Sequence, residues 1–167
     1  MNKAKELAKN IRLVIFDMDG VFTDGSMYFG NDGNEYKAFN SQDGHGIVTL
    51  IRTGIKVAII TGRKSQIVLS RANELGIEYV YQGYNDKLIA YHELKQTLNL
   101  EDAQIAYVGD DVVDLPVMLQ VGLAIAVKNA HPSVKQHVQW RTRRKGGYGA
   151  VRDVCDFIIE AQKFNDV

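Results

Sequence analysis

Five short apolar runs, each separated from the next by a segment of helical period, constrain this chain more than any other feature. They are "IRLVIF" (11–16), "KVAII" (56–60), "IEYVYQ" (77–82), "QIAYVG" (104–109) and "GLAIAV" (122–127). Their apolar residues fall on consecutive rather than alternate positions and are often β-branched, the pattern of strands buried on both faces. Between them lie "KSQIVLSRANELG" (64–76), "NDKLIAYHELKQTLN" (85–99) and "VVDLPVMLQVG" (112–122), each with helical apolar spacing and each ending at Gly or Asn. Those are the residues that most readily close a helix. Pro116 suits the first turn of the third helix, where a missing N–H costs nothing.

Strand–helix alternation of this kind requires crossover connections and a parallel sheet. The expected fold is therefore α/β, a Rossmann-like doubly wound parallel sheet with helices on both faces. One segment breaks the rhythm. "SMYFGNDGNEYKAFN" (26–40) places two short strand-like runs around a turn-rich "GNDGN", which predicts a β-hairpin flap directly after the first strand. "SQDGHGIVTLIRTG" (41–54) then returns through a helix closed by Gly54. A length of 167 residues fits one domain over 1–167, ending in a C-terminal tail and helix over 145–167.

Charge excludes several classes of partner. Lys and Arg total 20, and Asp and Glu total 20, so no long-range pull on nucleic acid or anionic lipid is expected. No apolar run approaches the ~20 residues of a membrane span. The apolar part of "MNKAKELAKNIRLVIF" is too short for a signal peptide, which leaves a cytoplasmic protein as the expectation. "RTRRK" (141–145) reads as a solvated basic loop, and Cys155, the single cysteine, as a small residue on a helix face. His45, His92, His131 and His137 show no metal-ligand pairing.

The chemistry gathers at the strand C-terminal ends, where open α/β sheets bind ligands. Asp17 and Asp19 follow the first strand, and Thr61, Gly62 and Arg63 follow the second. Lys87 starts the helix after the third, and Asp110, Asp111 and Asp114 follow the fourth. A rim of several acids, one hydroxyl and one lysine matches a divalent cation beside a phosphoryl group. Hard oxygen donors suit Mg²⁺. Asp24 before Gly25 reads as the turn into the hairpin.

In that order, "FDMDGVFTDG", "IITGRK", "NDKL" and "YVGDDVVDLPVM" resemble the motifs of the haloacid dehalogenase-like phosphatases over nearly the whole length. "DGNEYKAFN", "YQGYNDKL" and "GGYGAVRDV" are similar to the capless, tetrameric branch that acts on sugar-acid phosphates. The resemblance implies that Asp17 is the nucleophile and that Asp19 is the general acid–base. It implies that Thr61 and Lys87 hold phosphoryl oxygens. Mg²⁺ would sit on Asp17, Asp110 and the main-chain carbonyl of Asp19, supported by Asp111 and Asp114. Substrate contacts would come from Asn40, Asp43, Gly44, Arg63, Arg71 and Arg152. Hairpins would join a homotetramer, and the glycine-containing tail would reach a neighbouring site.

The branch points to the 8-phosphate of 3-deoxy-D-manno-octulosonate as substrate, with a nonulosonic acid 9-phosphate as the alternative. Gln42 and Val48 stand where the branch carries basic residues, which removes two expected contacts to an anionic sugar. A phospho-accepting signalling domain shares the acid, Thr and Lys set. However, "KVAIITGR" supplies Thr where its acceptor Asp would end a strand.

Overall fold

Leu13, Val14, Ile15 and Phe16 alternate between the two faces of one strand, yet all four are fully buried. Such a strand needs a layer on each side. The computed structural model, which describes residues 2–163, supplies both. Strands β1 (Leu13–Phe16), β4 (Lys56–Thr61), β5 (Tyr79–Gln82), β6 (Ile105–Gly109), β7 (Leu123–Ala126) and β8 (Trp140–Arg141) form one sheet in the order β5-β4-β1-β6-β7-β8. Every pairing in it is parallel. The short strands β2 (Tyr28–Phe29) and β3 (Glu35–Tyr36) pair antiparallel as the separate hairpin. The expected α/β doubly wound sheet with its flap is the fold observed.

Helices α1 (Asn2–Ala8), α2 (Ser41–Arg52), α3 (Gln66–Leu75) and α7 (Ala150–Lys163) pack with one another on one side. Helices α4 (Lys87–Leu98) and α5 (Leu115–Met118) pack together opposite, and α6 (Pro132–Lys135) is a single turn near the rim. The most extensive helix pair is α2 with α7. Helix α7 buries Val151, Val154, Cys155, Ile158 and Ala161, a stripe at helical spacing. Gly46 of α2 admits it closely, since a Cβ there would lie 2.8 Å from Arg152 Cδ. Cys155 sits buried on that face. No helix among the described residues is long and apolar enough to cross a membrane.

Local signals explain most boundaries. Asn40 caps α2, its side chain accepting from the Gln42 and Asp43 amides, and Gly76 ends α3 in the left-handed region. Asn99 ends α4 in the same conformation. One expectation is revised. The stretch 112–122 is not a continuous helix but a 3₁₀ turn (Val112–Asp114) followed by the single turn of α5. Asp114 is drawn inward, where its Oδ2 accepts from the Asp110 and Asp111 amides, and this holds the first turn tight.

"RTRRK" is also more than a solvated loop. Arg141 belongs to β8, Thr142 is buried, and Arg144 pairs with Asp153. The tail likewise has a place within its own chain. The Gly147 amide donates to Val21 O, and a Cβ on Gly146 would overlap the carbonyl oxygen of Gly20. Of the tail and helix expected over 145–167, positions 164–167 lie outside the described residues.

Candidate active site

β1 ends between β4 and β6, with Phe16 level with Ile59 on one side and Val108 on the other. The chain diverges here, β4 and β5 going one way and β6 to β8 the other, which opens a crevice beyond the strand ends. The Asp17 amide still donates to Val108 O, so the residue is fixed to the sheet although its side chain has left it. Gly20 then turns at φ +89, and a Cβ there would overlap the Asp110 carboxylate. Only glycine allows the first loop and the β6 loop to approach this closely. Thr23 Oγ1 accepts from the Gly20 and Gly25 amides, and Asp24 Oδ1 from the Ser26 amide. Asp24 therefore shapes the entry to the hairpin.

A cleft of about 330 Å³ lies over this loop. Asp17, Asp19, Thr61, Arg63, Lys87, Asp110 and Asp111 all line it. These residues come from four successive strand ends and meet at one place. Asn40, Asp43, Gly44, Arg71 and Arg152 are not among its lining residues. Asn40 is occupied in capping α2, and Asp43 Oδ1 accepts the Arg152 amide. Arg152 Nε is turned to Asp156, and Arg71 pairs with Glu74 while lying 5.8 Å from the Phe39 ring. Within one chain, five of the expected substrate contacts thus stand apart from the cleft.

Charge beneath the cleft is organised around Lys87, whose side chain is 4 % exposed. Its ammonium lies 2.8 Å from Asp17 Oδ1 and 2.7 Å from Asp114 Oδ1. A buried ammonium needs such partners, because leaving it unpaired away from water would cost several kcal/mol (about 3–5). Burial works against the Lys87 charge, but the Asp17 and Asp114 carboxylates outweigh it and lift its pKa. Asp114 is fully buried and fully used: Tyr107 donates its hydroxyl to Oδ1 at 2.7 Å, and the Asp110 and Asp111 amides donate to Oδ2. Asp111 caps the 3₁₀ turn through the Val112 amide.

Asp17 and Asp110 behave differently. Burial, then the Asp114 charge, pushes Asp17 up to about 6 despite Lys87. Burial, then Asp17 and Asp114, pushes Asp110 up to about 8. Asp17 Oδ1 accepts from the Met18 amide and faces Lys87, while among the described residues no group donates to its Oδ2. Asp17, Asp110 and Asp114 each offer an oxygen within 4.8 Å of the others. Since Asp114 has no oxygen to spare, the unsatisfied pair is Asp17 and Asp110. Two crowded carboxylates that resist ionising side by side fit a divalent cation, which would neutralise them together.

Sequence reading missed two members of this arrangement, Tyr107 and Lys37. Tyr107 lies within a run that looks wholly apolar, and only its hydroxyl reveals a second role. Lys37 comes from the hairpin and reaches Asp19 Oδ1 at 2.6 Å. Its alternation with Tyr36 was a usable signal, since Glu35 and Lys37 share the face opposite Tyr36.

A parallel sheet with an acid loop after β1, Thr after β4, Lys after β5 and an acid cluster after β6 defines a class. The family profile of haloacid dehalogenase-like hydrolases matches residues 80–152. The 3-deoxy-D-manno-octulosonate 8-phosphate phosphatase KdsC of Yersinia pestis is 57 % identical over 155 residues, 93 % of this chain and 83 % of that relative. Its counterpart in Escherichia coli K12 is 51 % identical over 93 % of this chain and 82 % of that protein. A crystal structure of the Moraxella catarrhalis phosphatase with magnesium, phosphate and KDO superposes with a TM-score of 0.96 at 42 % identity, covering 99 % of this chain and 95 % of that one. The chain belongs to the haloacid dehalogenase-like hydrolases, and it is a phosphoric monoester hydrolase.

Proposed function

We propose that this enzyme hydrolyses 3-deoxy-D-manno-octulosonate 8-phosphate to the free sugar acid and phosphate. The observation that carries this reading is the convergence of Asp17, Asp19, Thr61, Lys87 and Asp110 on one cleft. The named activity of relatives that match 93 % of the chain supports the sugar acid. Asp17 attacks phosphorus through a carboxylate oxygen, the phosphorus–alkoxide bond breaks, and its electron pair leaves on the sugar oxygen. Asp19 gives that oxygen a proton and so departs from the first step as a carboxylate. It then takes a proton from the water that attacks the aspartyl phosphate, which releases phosphate and restores both acids. Thr61 and Lys87 hold phosphoryl oxygens, Lys87 as a point charge.

Mg²⁺ on the Asp17 and Asp110 side chains and the Asp19 carbonyl would offset the repulsion between nucleophile and phosphate and stabilise the transferring group. Asp111 and Asp114 support that set, Asp114 by holding Lys87 and the β6 loop.

The reading extends to a cytoplasmic homotetramer assembled through the hairpins. Met27, Tyr28, Phe29 and Tyr36 are 48 %, 51 %, 61 % and 55 % exposed, a concentration of apolar surface on and beside two strands of two residues each. A hairpin this short gains stability from being covered. Neighbouring chains would complete the cleft, which has no lid of its own among the described residues. They would also bring the anion-binding Arg71 and Arg152 into use with Asn40, Asp43 and Gly44.

The test is a panel of sugar phosphates with Mg²⁺. The expected outcome is kcat/KM highest for the octulosonate 8-phosphate by at least about tenfold over a nonulosonic acid 9-phosphate, and by more over hexose phosphates. Equal values across the panel would make this a general phosphatase.

A further inference from the structure

Among the described residues, Lys37 is the hairpin side chain that reaches Asp19 in the cleft. Although it sits on a flap, its side chain is 1 % exposed. Its ammonium donates to Asp19 Oδ1 at 2.6 Å and lies 3.2 Å from Glu35 Oε1. Glu35 in turn lies 3.5 Å from Arg63 Nη2 at the cleft rim. Lys37 does not line the cleft, whereas Asp19 and Arg63 do. An interior ammonium held by two carboxylates, one of them a member of the site, is not placed for solubility. Its strand neighbour Tyr36 points the other way and is exposed.

We propose that Lys37 is a positioning residue for catalysis, fixing the Asp19 carboxyl so that Oδ2 faces the leaving group. This rests on Asp19 being the acid–base. An ammonium has three donors and no acceptor, so the oxygen it contacts cannot be the one that carries a transferable proton. Lys37 occupies Oδ1, and among the described residues no group donates to Oδ2. The proton moved in either half of the reaction is thereby confined to Oδ2. Glu35 holds the ammonium from behind, so that the hairpin determines which Asp19 oxygen is reactive. The flap is then part of the proton-transfer apparatus.

The test compares kcat/KM over a series of simple alkyl and aryl monophosphates with no carboxylate. That parameter reports the reaction up to departure of the leaving group. Alkoxides need a proton as they leave and good aryl leaving groups do not, so a loss of acid catalysis falls on the alkyl members. Lys37→Met is expected to lose about 10- to 50-fold on alkyl phosphates and under about 3-fold on p-nitrophenyl phosphate. Lys37→Arg should recover part of the alkyl loss, and Lys37→Met should add little in an Asp19→Asn background. Lys37→Gln carries the same comparison if Lys37→Met does not fold.

Equal losses on alkyl and aryl substrates, or full additivity with Asp19→Asn, would overturn the proposal. Asp19→Asn alone separates the two levels. If it is selective for alkyl substrates and Lys37→Met is not, the acid–base assignment stands and the positioning role falls. If Asp19→Asn shows no selectivity, both fall.

Discussion

The floor of the cleft and the hairpin above it use the same ingredients, lysine and carboxylates, under opposite conditions. On the floor, Lys87, Asp114 and Tyr107 are buried beneath an intact sheet and every oxygen of Asp114 is taken. In the hairpin, Lys37 is equally hidden, but it hangs from two-residue strands whose outer face is open aromatic surface. The floor is held by the core; the hairpin is tied to its own subunit by the Lys37, Glu35 and Arg63 ion pairs and by Arg63 over the Phe29 ring. Rigid positioning of a nucleophile needs the first arrangement. The second leaves Asp19 tied to a short hairpin that carries exposed aromatic surface.

The sharpest break of this contrast is on the floor. Asp17→Asn should reduce Mg²⁺-dependent phosphate release by about 10⁴-fold or more while circular dichroism stays native. Asp114→Asn should cost about 10²-fold in kcat. It should also lower urea stability by about 3 kcal/mol, because Lys87 loses one of its two buried charge partners. A hairpin change should behave differently: Phe29→Asp is expected to shift the mass measured by light scattering towards smaller species and reduce kcat/KM about 10-fold, with urea stability of the remaining chain nearly unchanged. A loss of stability as large as that of Asp114→Asn would erase the distinction.

The smallest effect concerns pH. Asp17 at about 6 and Asp110 at about 8 both lie above ordinary carboxylates. The folded state therefore holds these protons more tightly than the unfolded chain, and stability falls as pH rises through 6 and 8. In metal-free protein Tm should drop by a few degrees between pH 5.5 and 8.5, and added Mg²⁺ should restore it most at the high end. A Tm rising over that window would show that the two acids are not crowded as described.

The sheet was legible because its strands are apolar on consecutive positions and its helices end at Gly76 and Asn99. The acid loop, Thr61 and Asp110 were legible because each lies at or just beyond the end of such a strand, and Lys87 because it opens the helix that follows one. Helix α1 and strand β8 were not. The first has charged residues among its few buried alanines, and the second is two residues long inside a basic run. Tyr107 was hidden by its own apolar surroundings. The helix expected over 112–122 shortened because Asp114 serves the site rather than a solvent-facing turn. The alternation around Tyr36 put Lys37 on the same face as Glu35, but it did not show that this face turns back onto Asp19.

The contact of Gly146 with Gly20 and of Gly147 with Val21 bears on when this enzyme becomes active during its own synthesis. Once the first 114 residues have left the ribosome, all the acids, the threonine and the lysine of the cleft are present. The loop that carries Asp17 and Asp19 still lacks one wall, which arrives about thirty residues later together with the helix that packs on α2. A partly made chain thus carries the acids, threonine and lysine of the cleft without the backbone that packs against their loop. Such ordering makes the final register of that loop depend on the segment around Gly146 and Gly147.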